Sequence, residues 1–553
     1  MEDYSGTEID MAASVVSREA LSLSSLRYSN FQSIRHAIGP NCKIVMLGEA
    51  SHGTQEFYEF RRDLTQALVE HEGFNVVLCE GDFPPFWRLN EYIGAVKTKK
   101  TVNWRLGQSA PAIISQEDEL KKNTEVKTEE HATASDNGTL RLSGADNSSG
   151  DISHKNPEST TEHNRKNSVR EDEMKAMDGL KHRFPRWMWH NEPFRELIQW
   201  LKVHNSSTEV PTALLGLDIY SLFASADEVI KYLSTADPAL AKIAILNYST
   251  LNSFRDDATE YAYCLAQGTV EPQAVPVAKV LQEMMRKQMK LQTWEYDGDA
   301  FFSGSENAHA VKAAEAYYRK SFMGGVVTWN LRDSAMADFV DSAIKYVERK
   351  NPNIQARVII WAHNSHLGDS EATDKKKRRQ YNLGNLLRQR YSLERTFTVG
   401  FSTDHGTVRA AKKWGAVDEV MDLIPSLSGS HGELFHKVSR IIANPDFGLF
   451  MRTNERHPRA VTNECLTELA KPRIQRFIGV QYVKRSERQS HYIRCDISKQ
   501  YDLLIHMDKT SGLQPVKESK GVVKIPLHGD YPRWNKYAKN EDVEEEREDD
   551  FDP

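Results

Sequence analysis

The sequence predicts an α/β fold, a mainly parallel sheet with helices on both faces and an inserted helical subdomain over the cleft at the strand ends. Three observations predict it. Short apolar runs stop abruptly at polar residues: I-V-M-L before Gly48-Glu49, N-V-V-L-C before Glu80, A-L-L-G-L before Asp218 and V-I-I-W-A before His363. Amphipathic stretches of helical period alternate with these runs. The first two runs are separated by a segment long enough for a crossover helix, which makes them parallel and brings their C-terminal ends to one rim.

Taken in order, residues 9–38 read as one or two helices. A strand at 44–47 follows, then a loop bracketed by Gly48 and Gly53, which lets a ligand approach the backbone closely. A helix over 55–71 comes next. A second strand at 74–79 ends on Glu80-Gly81-Asp82 and leads into a helix over 85–95. Residues 116–171 are dominated by Lys, Glu, Ser, Thr, Asn, Asp and His, with too little apolar surface to order themselves. The pattern returns at Phe184-Pro185-Arg186-Trp187-Met188-Trp189, with a helix over 193–204 and a strand ending on Asp218. Residues 226–350 are helical in period almost throughout. Strands are expected again at 358–362, 397–401, 477–483 and 502–507, with a helix over 383–391. The domain reading is 1–106 for the first part of the α/β domain and 107–177 for a disordered insertion. It continues with 178–225 for the same α/β domain, 226–350 for the helical subdomain or lid, 351–535 for the completion of the α/β domain and 536–553 for a disordered acidic tail.

Composition narrows the function class. The net charge of −6 misleads, because residues 541–552 hold nine acids against one arginine, and the remainder carries only +2. That balance offers no nucleic-acid face. No stretch approaches the roughly 20 apolar residues that span a bilayer, and the acidic N-terminus lacks a signal-peptide layout. Five scattered cysteines without metal-type spacing fit reduced thiols. The expectation is a cytoplasmic protein acting on a small molecule, with neither nucleic acid nor membrane as partner.

The strand ends collect Glu49, His52, Glu80, Asp218, His363 and His366. Imidazoles and carboxylates on one rim serve either of two chemistries. In general acid–base hydrolysis a neutral imidazole, with an unperturbed pKa of roughly 6.5, takes a proton from water while a carboxylate fixes its tautomer. Alternatively, the same residue types ligate a hydrolytic metal. The helical H-E-x-x-H zinc motif, the G-x-S-x-G nucleophile elbow and the glycine-rich phosphate loops are all missing. Asp218, Asn307 and Arg332 are candidates for substrate contact. Each has a bracing alternative: Asp218 as a helix cap, Asn307 and Arg332, with Asp333, as supports of the helical block.

Taken together, Gly48-Glu49-Ala50-Ser51-His52-Gly53, Glu80-Gly81-Asp82, Phe184 to Trp189, Trp329-Asn330-Leu331-Arg332-Asp333, Ala362-His363-Asn364-Ser365-His366 and Glu487-Arg488-Gln489-Ser490-His491-Tyr492 resemble the erythromycin esterases, a family of macrolide-lactone hydrolases. The resemblance implies a carboxylic-ester hydrolase without a required metal or cofactor. It implies that His52 is the base activating water, with Glu49, Glu80, Arg61, His363 and His366 lining the same cleft. A metal-dependent hydrolase using that cluster and a ligand-binding homologue without turnover are the alternatives.

Overall fold

Alternate residues of the central strands belong to two different cores, which is how a strand buried on both faces must divide its side chains. The computed structural model describes residues 6–96, 171–181, 184–255, 257–293, 298–453 and 460–517. Its strands are β1 (Leu21–Ser22), β2 (Ile44–Leu47), β3 (Val76–Asp82), β4 (Ala213–Asp218), β5 (Val358–Trp361), β6 (Thr396–Ala410), β7 (Glu419–Leu423), β8 (Asp446–Phe450), β9 (Arg473–Arg476), β10 (Tyr492–Cys495) and β11 (Leu503–Thr510). Ile44, Met46, Val76, Leu78, Leu215, Val358 and Ile360 join one core, beneath the helices between Leu222 and Lys350. Val45, Leu47, Val77, Cys79, Leu214, Ile359 and Trp361 join the other. That second core lies beneath helices Leu23–Ile38, Gln55–Glu72 and Glu192–Ser206.

The sheet runs β1-β8-β11-β6-β2-β5-β3-β4, with β7 pairing the far end of β6. The six strands from β11 to β4 are parallel; β8, β1 and β7 add antiparallel pairs at the margins. The fold class is therefore the expected one. Register aligns the strand ends. Leu47 pairs with both Trp361 and Val399, and Cys79 pairs with Trp361. The residues just beyond them, Glu49, Glu80 and His363, consequently emerge at one level.

The helical block is not a detached lid. Its apolar faces share a continuous core with β2, β3, β4 and β5, and the described residues fall in a single compact unit. Residues 171–181, most of them assigned from sequence to the insertion, are helical, with Met177 and Leu180 buried. Residues 107–170 and 536–553, the remainder of the expected insertion and the acidic tail, lie outside the described residues. The strand expected at 477–483 does not form. Its backbone instead bridges strand tips, with Ile478 N–H donating to Ala50 O and His52 N–H to Ile478 O. Strand β7 gives no signal in the sequence because four of its five residues are not buried, so it carries no apolar run.

Gly48 and Gly53 are required by close approach, not by left-handed backbone. Neither has positive φ. A Cβ on Gly48 would lie 2.2 Å from Asn364 Oδ1, and one on Gly53 would lie 1.8 Å from the backbone oxygen of Arg409. The close neighbour is the protein's own chain, where the expectation from sequence is a ligand. Because backbone cannot swing aside as a side chain can, Gly53→Ala should destabilise the fold by about 1–3 kcal/mol, the usual cost of overpacking. A denaturant midpoint unchanged from wild type would refute that.

Candidate active site

Eight of the nine residues singled out from the sequence meet in one buried network at the C-terminal ends of β2, β3, β4 and β5, the place where open α/β sheets put their sites. Glu49 and His52 sit in the loop between β2 and helix Gln55–Glu72. His52 Nδ1 lies 2.8 Å from Glu49 Oε1, and Arg61 donates from that helix to Glu49 Oε2 at 2.6 Å. Arg61 is fully buried, its guanidinium 4.2 Å and 4.6 Å from the ring centres of Tyr58 and Trp361. Those rings fix it by cation–π contact. Its seven-residue offset from Thr54 thus returns it to the rim, where it holds Glu49.

Glu80 is the second carboxylate of the cluster. Its Oε2 accepts the backbone N–H of His363 at 2.8 Å, and its Oε1 accepts from Arg332 at 2.8 Å. Oε1 also lies 3.3 Å from His366 Nε2 and 4.0 Å from His52 Nε2. Burial disfavours its charge, but His366, His52 and Arg332 outweigh that and hold the carboxyl well below the usual range. Trp189 Nε1–H donates to the Glu80 carbonyl at 2.9 Å, which gives the Phe184 to Trp189 motif its part in the site.

Arg332 comes from helix Gly325–Lys350. It donates to both oxygens of Asp218 at 2.9 Å and lies 3.0 Å from His366 Nε2. Asp218, considered for substrate contact, is therefore occupied by an arginine. Asp333, the next residue, accepts from His366 Nδ1 at 2.9 Å and from Leu383 N–H at 2.7 Å. Trp329 stacks on the His366 ring with centroids 4.4 Å apart and planes 3° from parallel. Burial opposes the charge on His366, yet Asp333 and Glu80 raise its pKa to about 9.

His363 has the opposite character. Burial and the neighbouring His52 push its pKa well below the ordinary value, and Glu80 and the Ala50 backbone oppose that shift without reversing it. The ring is neutral at pH 7. Its Nδ1 accepts the Ser365 N–H at 3.2 Å, which leaves the proton on Nε2. The rings of His52 and His363 are 4.8 Å apart, and Nε2 of His363 has no hydrogen-bond partner among the described residues. Phe477 packs against His363, and its N–H donates to the His491 carbonyl. The His491 motif thus supports the cluster from one layer behind.

Asn307 stays outside this network. It is buried on helix Asp299–Lys320, its Nδ2 donating to Ser303 O in the preceding turn. Asp333, Trp329 and Trp189 are contributors to which sequence reasoning assigns no role at the rim. All three lie inside motifs already quoted, so their signal was position in a motif and not residue chemistry.

This geometry defines an α/β protein with a His/Glu/Arg cluster at the strand ends, suited to hydrolysis. The erythromycin esterase family profile matches residues 159–510, and the chain belongs to that family, hydrolases of the macrolide-esterase kind. Glu49, His52, Arg61 and Glu80 lie N-terminal to the matched stretch. Three solved structures share the fold. A succinoglycan biosynthesis protein matches with TM-score 0.60 at 17% identity, over 92% of this chain and 100% of its own. A Bacillus cereus protein matches with TM-score 0.61 at 15% identity, over 92% and 99%. A mutant of the erythromycin esterase EreC in its open conformation matches with TM-score 0.52 at 15% identity, over 90% and 99%. No described helix is long and apolar enough to cross a membrane.

The raised pKa of His366 makes a stability prediction. An imidazole at about 9 in the fold and roughly 6.5 unfolded contributes fully below pH 6.5, and loses that contribution as pH rises through 9. The loss should reach about 3 kcal/mol. Denaturation across pH 6.5–9 should show this decline, and Asp333→Asn should flatten it. An unchanged slope in the variant would contradict the assignment.

Proposed function

We propose that the chain hydrolyses a carboxylic ester or a macrocyclic lactone, with His52 as the base that activates water. The observation that carries this reading is the 2.8 Å contact between Glu49 and His52 Nδ1. A carboxylate there fixes the proton on Nδ1 and presents Nε2 as the acceptor. Water gives its proton to Nε2 while its oxygen bonds to the ester carbonyl carbon. The resulting oxyanion accepts from His363 Nε2–H, the tautomer left when Nδ1 accepts from Ser365. The tetrahedral intermediate then collapses, the C–O bond breaks, and His52 returns its proton to the leaving alkoxide.

In this proposal Arg61 is a positioning residue for Glu49, which its Nη2 holds at 2.6 Å while Tyr58 and Trp361 pack against the guanidinium. Arg332 and His366 likewise hold Glu80, whose charge faces the imidazolium forming on His52. The metal-dependent alternative has less support, since Arg332 already lies against Glu80, Asp218 and His366, the groups an ion would need. The family name supports a macrolide lactone as the first substrate to try.

Incubating purified, chelator-dialysed protein with erythromycin should give a product heavier by one water, detected by mass spectrometry. His52→Ala should lower kcat/KM by about 10²–10⁴-fold. His363→Ala should lower kcat by about 10²–10³-fold with little change in KM. Undiminished turnover by His52→Ala would overturn the mechanism. Failure on erythromycin together with turnover of a simpler lactone would remove only the macrolide.

A further inference from the structure

Beyond the catalytic rim, β6 and β11 continue side by side and carry a second cluster of titratable groups. Thr403 pairs with Met507 and His405 with Lys509, so Asp404 and Asp508 lie opposite one another between those pairs. Both are buried. Two like charges facing across adjacent strands are unfavourable unless a cation lies between them. Gly406, with φ +121°, breaks the regular pleat at this point, and His405 Nδ1 lies 3.1 Å from Asp404 Oδ2. Helix His431–Ile441 brings His436 over the pair, its Nδ1 2.8 Å from Asp508 Oδ1 and 3.6 Å from Asp404 Oδ2.

We propose that Asp404, His405, His436 and Asp508 form a binding site for a divalent first-row transition-metal ion, with Zn²⁺ as the best match. One ligand atom from each of the four lies within 4.8 Å of all the others. Bonds of about 2.0–2.2 Å to a tetrahedral zinc place ligand atoms about 3.3–3.6 Å apart, so the contacts at 2.8 Å and 3.1 Å would open slightly and the widest, within 4.8 Å, would close around the ion. Two imidazole nitrogens and two carboxylate oxygens suit zinc better than calcium or magnesium.

Outer contacts orient the carboxylates as a metal site requires. Ser426 N–H donates to Asp404 Oδ1 at 3.1 Å and leaves Oδ2 for the ion. The fully buried His506 lies 3.2 Å from Asp508 Oδ1 through Nε2, and Ser402 Oγ holds its other nitrogen at 3.0 Å. Arg476 donates to the Asp404 carbonyl but is itself balanced by Glu487 at 2.9 Å. The imidazoles of His405 and His436 are 35% and 34% exposed, which leaves a route for the ion from solvent.

The test is a zinc titration of the chelator-dialysed full chain against a chromophoric competitor, with Co²⁺ absorption reporting the coordination geometry. Wild type should take up one equivalent and show the intense visible bands of tetrahedral cobalt. His405→Gln and His436→Gln should each bind at least about 100-fold more weakly, while keeping the metal-free melting temperature. His52→Ala should bind as wild type, which separates this site from the catalytic cluster. Absence of stoichiometric uptake would overturn the proposal, as would uptake that survives both cluster variants or is lost in His52→Ala.

Discussion

The geometry of the candidate cluster depends on the guanidinium of Arg332. It enters from helix Gly325–Lys350 and reaches across to β3 and β4, where it donates to Glu80 and Asp218. The two carboxylates end neighbouring strands and are almost wholly buried. Without an intervening cation they could not both stay charged at that depth, and removing one partner of a buried pair typically costs about 3–5 kcal/mol. The same arginine lies against His366, which the next residue, Asp333, grips from its other nitrogen. One turn of one helix therefore fixes a strand end, a neighbouring strand end and an imidazole. This explains why the helical block shares a core with the sheet. Through Arg332 it holds Glu80, whose Oε1 lies 4.0 Å from His52 Nε2.

Much of this was legible in the sequence because two signals coincided. Apolar runs marked β2, β3, β4 and β5, and each run stopped at a polar group, so the rim residues could be named before any distance was known. Parallel register then brought Glu49, Glu80 and His363 to one level, as a crossover connection requires. Roles were less legible than membership. Asp218 read as a candidate for substrate contact and Arg61 as a residue lining the cleft, whereas each hydrogen-bonds a neighbouring charge. Sequence carries residue type and spacing, but not which of two facing groups has already satisfied the other. Asn307 shows the same limit: it was a candidate for substrate contact, and its Nδ2 instead donates one turn back within its own helix. The second cluster was invisible for another reason. Its ligands come from β6, helix His431–Ile441 and β11, and only the pairing of β6 with β11 makes Asp404 and Asp508 neighbours.

Buried ion pairs add little net stability, since desolvation consumes most of the Coulomb gain. Their concentration here is better understood as preorganisation for charge that appears only during reaction. Four carboxylates, Glu49, Glu80, Asp218 and Asp333, meet two arginines and the imidazolium of His366, which leaves the cluster one positive charge short. In the proposed reaction the missing charge is supplied when His52 accepts a proton from water, between Glu49 on one nitrogen and Glu80 on the other. His363, kept neutral by burial and by that same neighbour, can then donate to the oxyanion without adding a cation that would compete for the carboxylates. The two histidines differ in charge because their partners differ, His366 between Asp333 and Glu80, His363 between a backbone N–H and a second imidazole. The proposed chemistry needs both kinds of histidine, and the sequence His363-Asn364-Ser365-His366 supplies them three residues apart at the end of one strand.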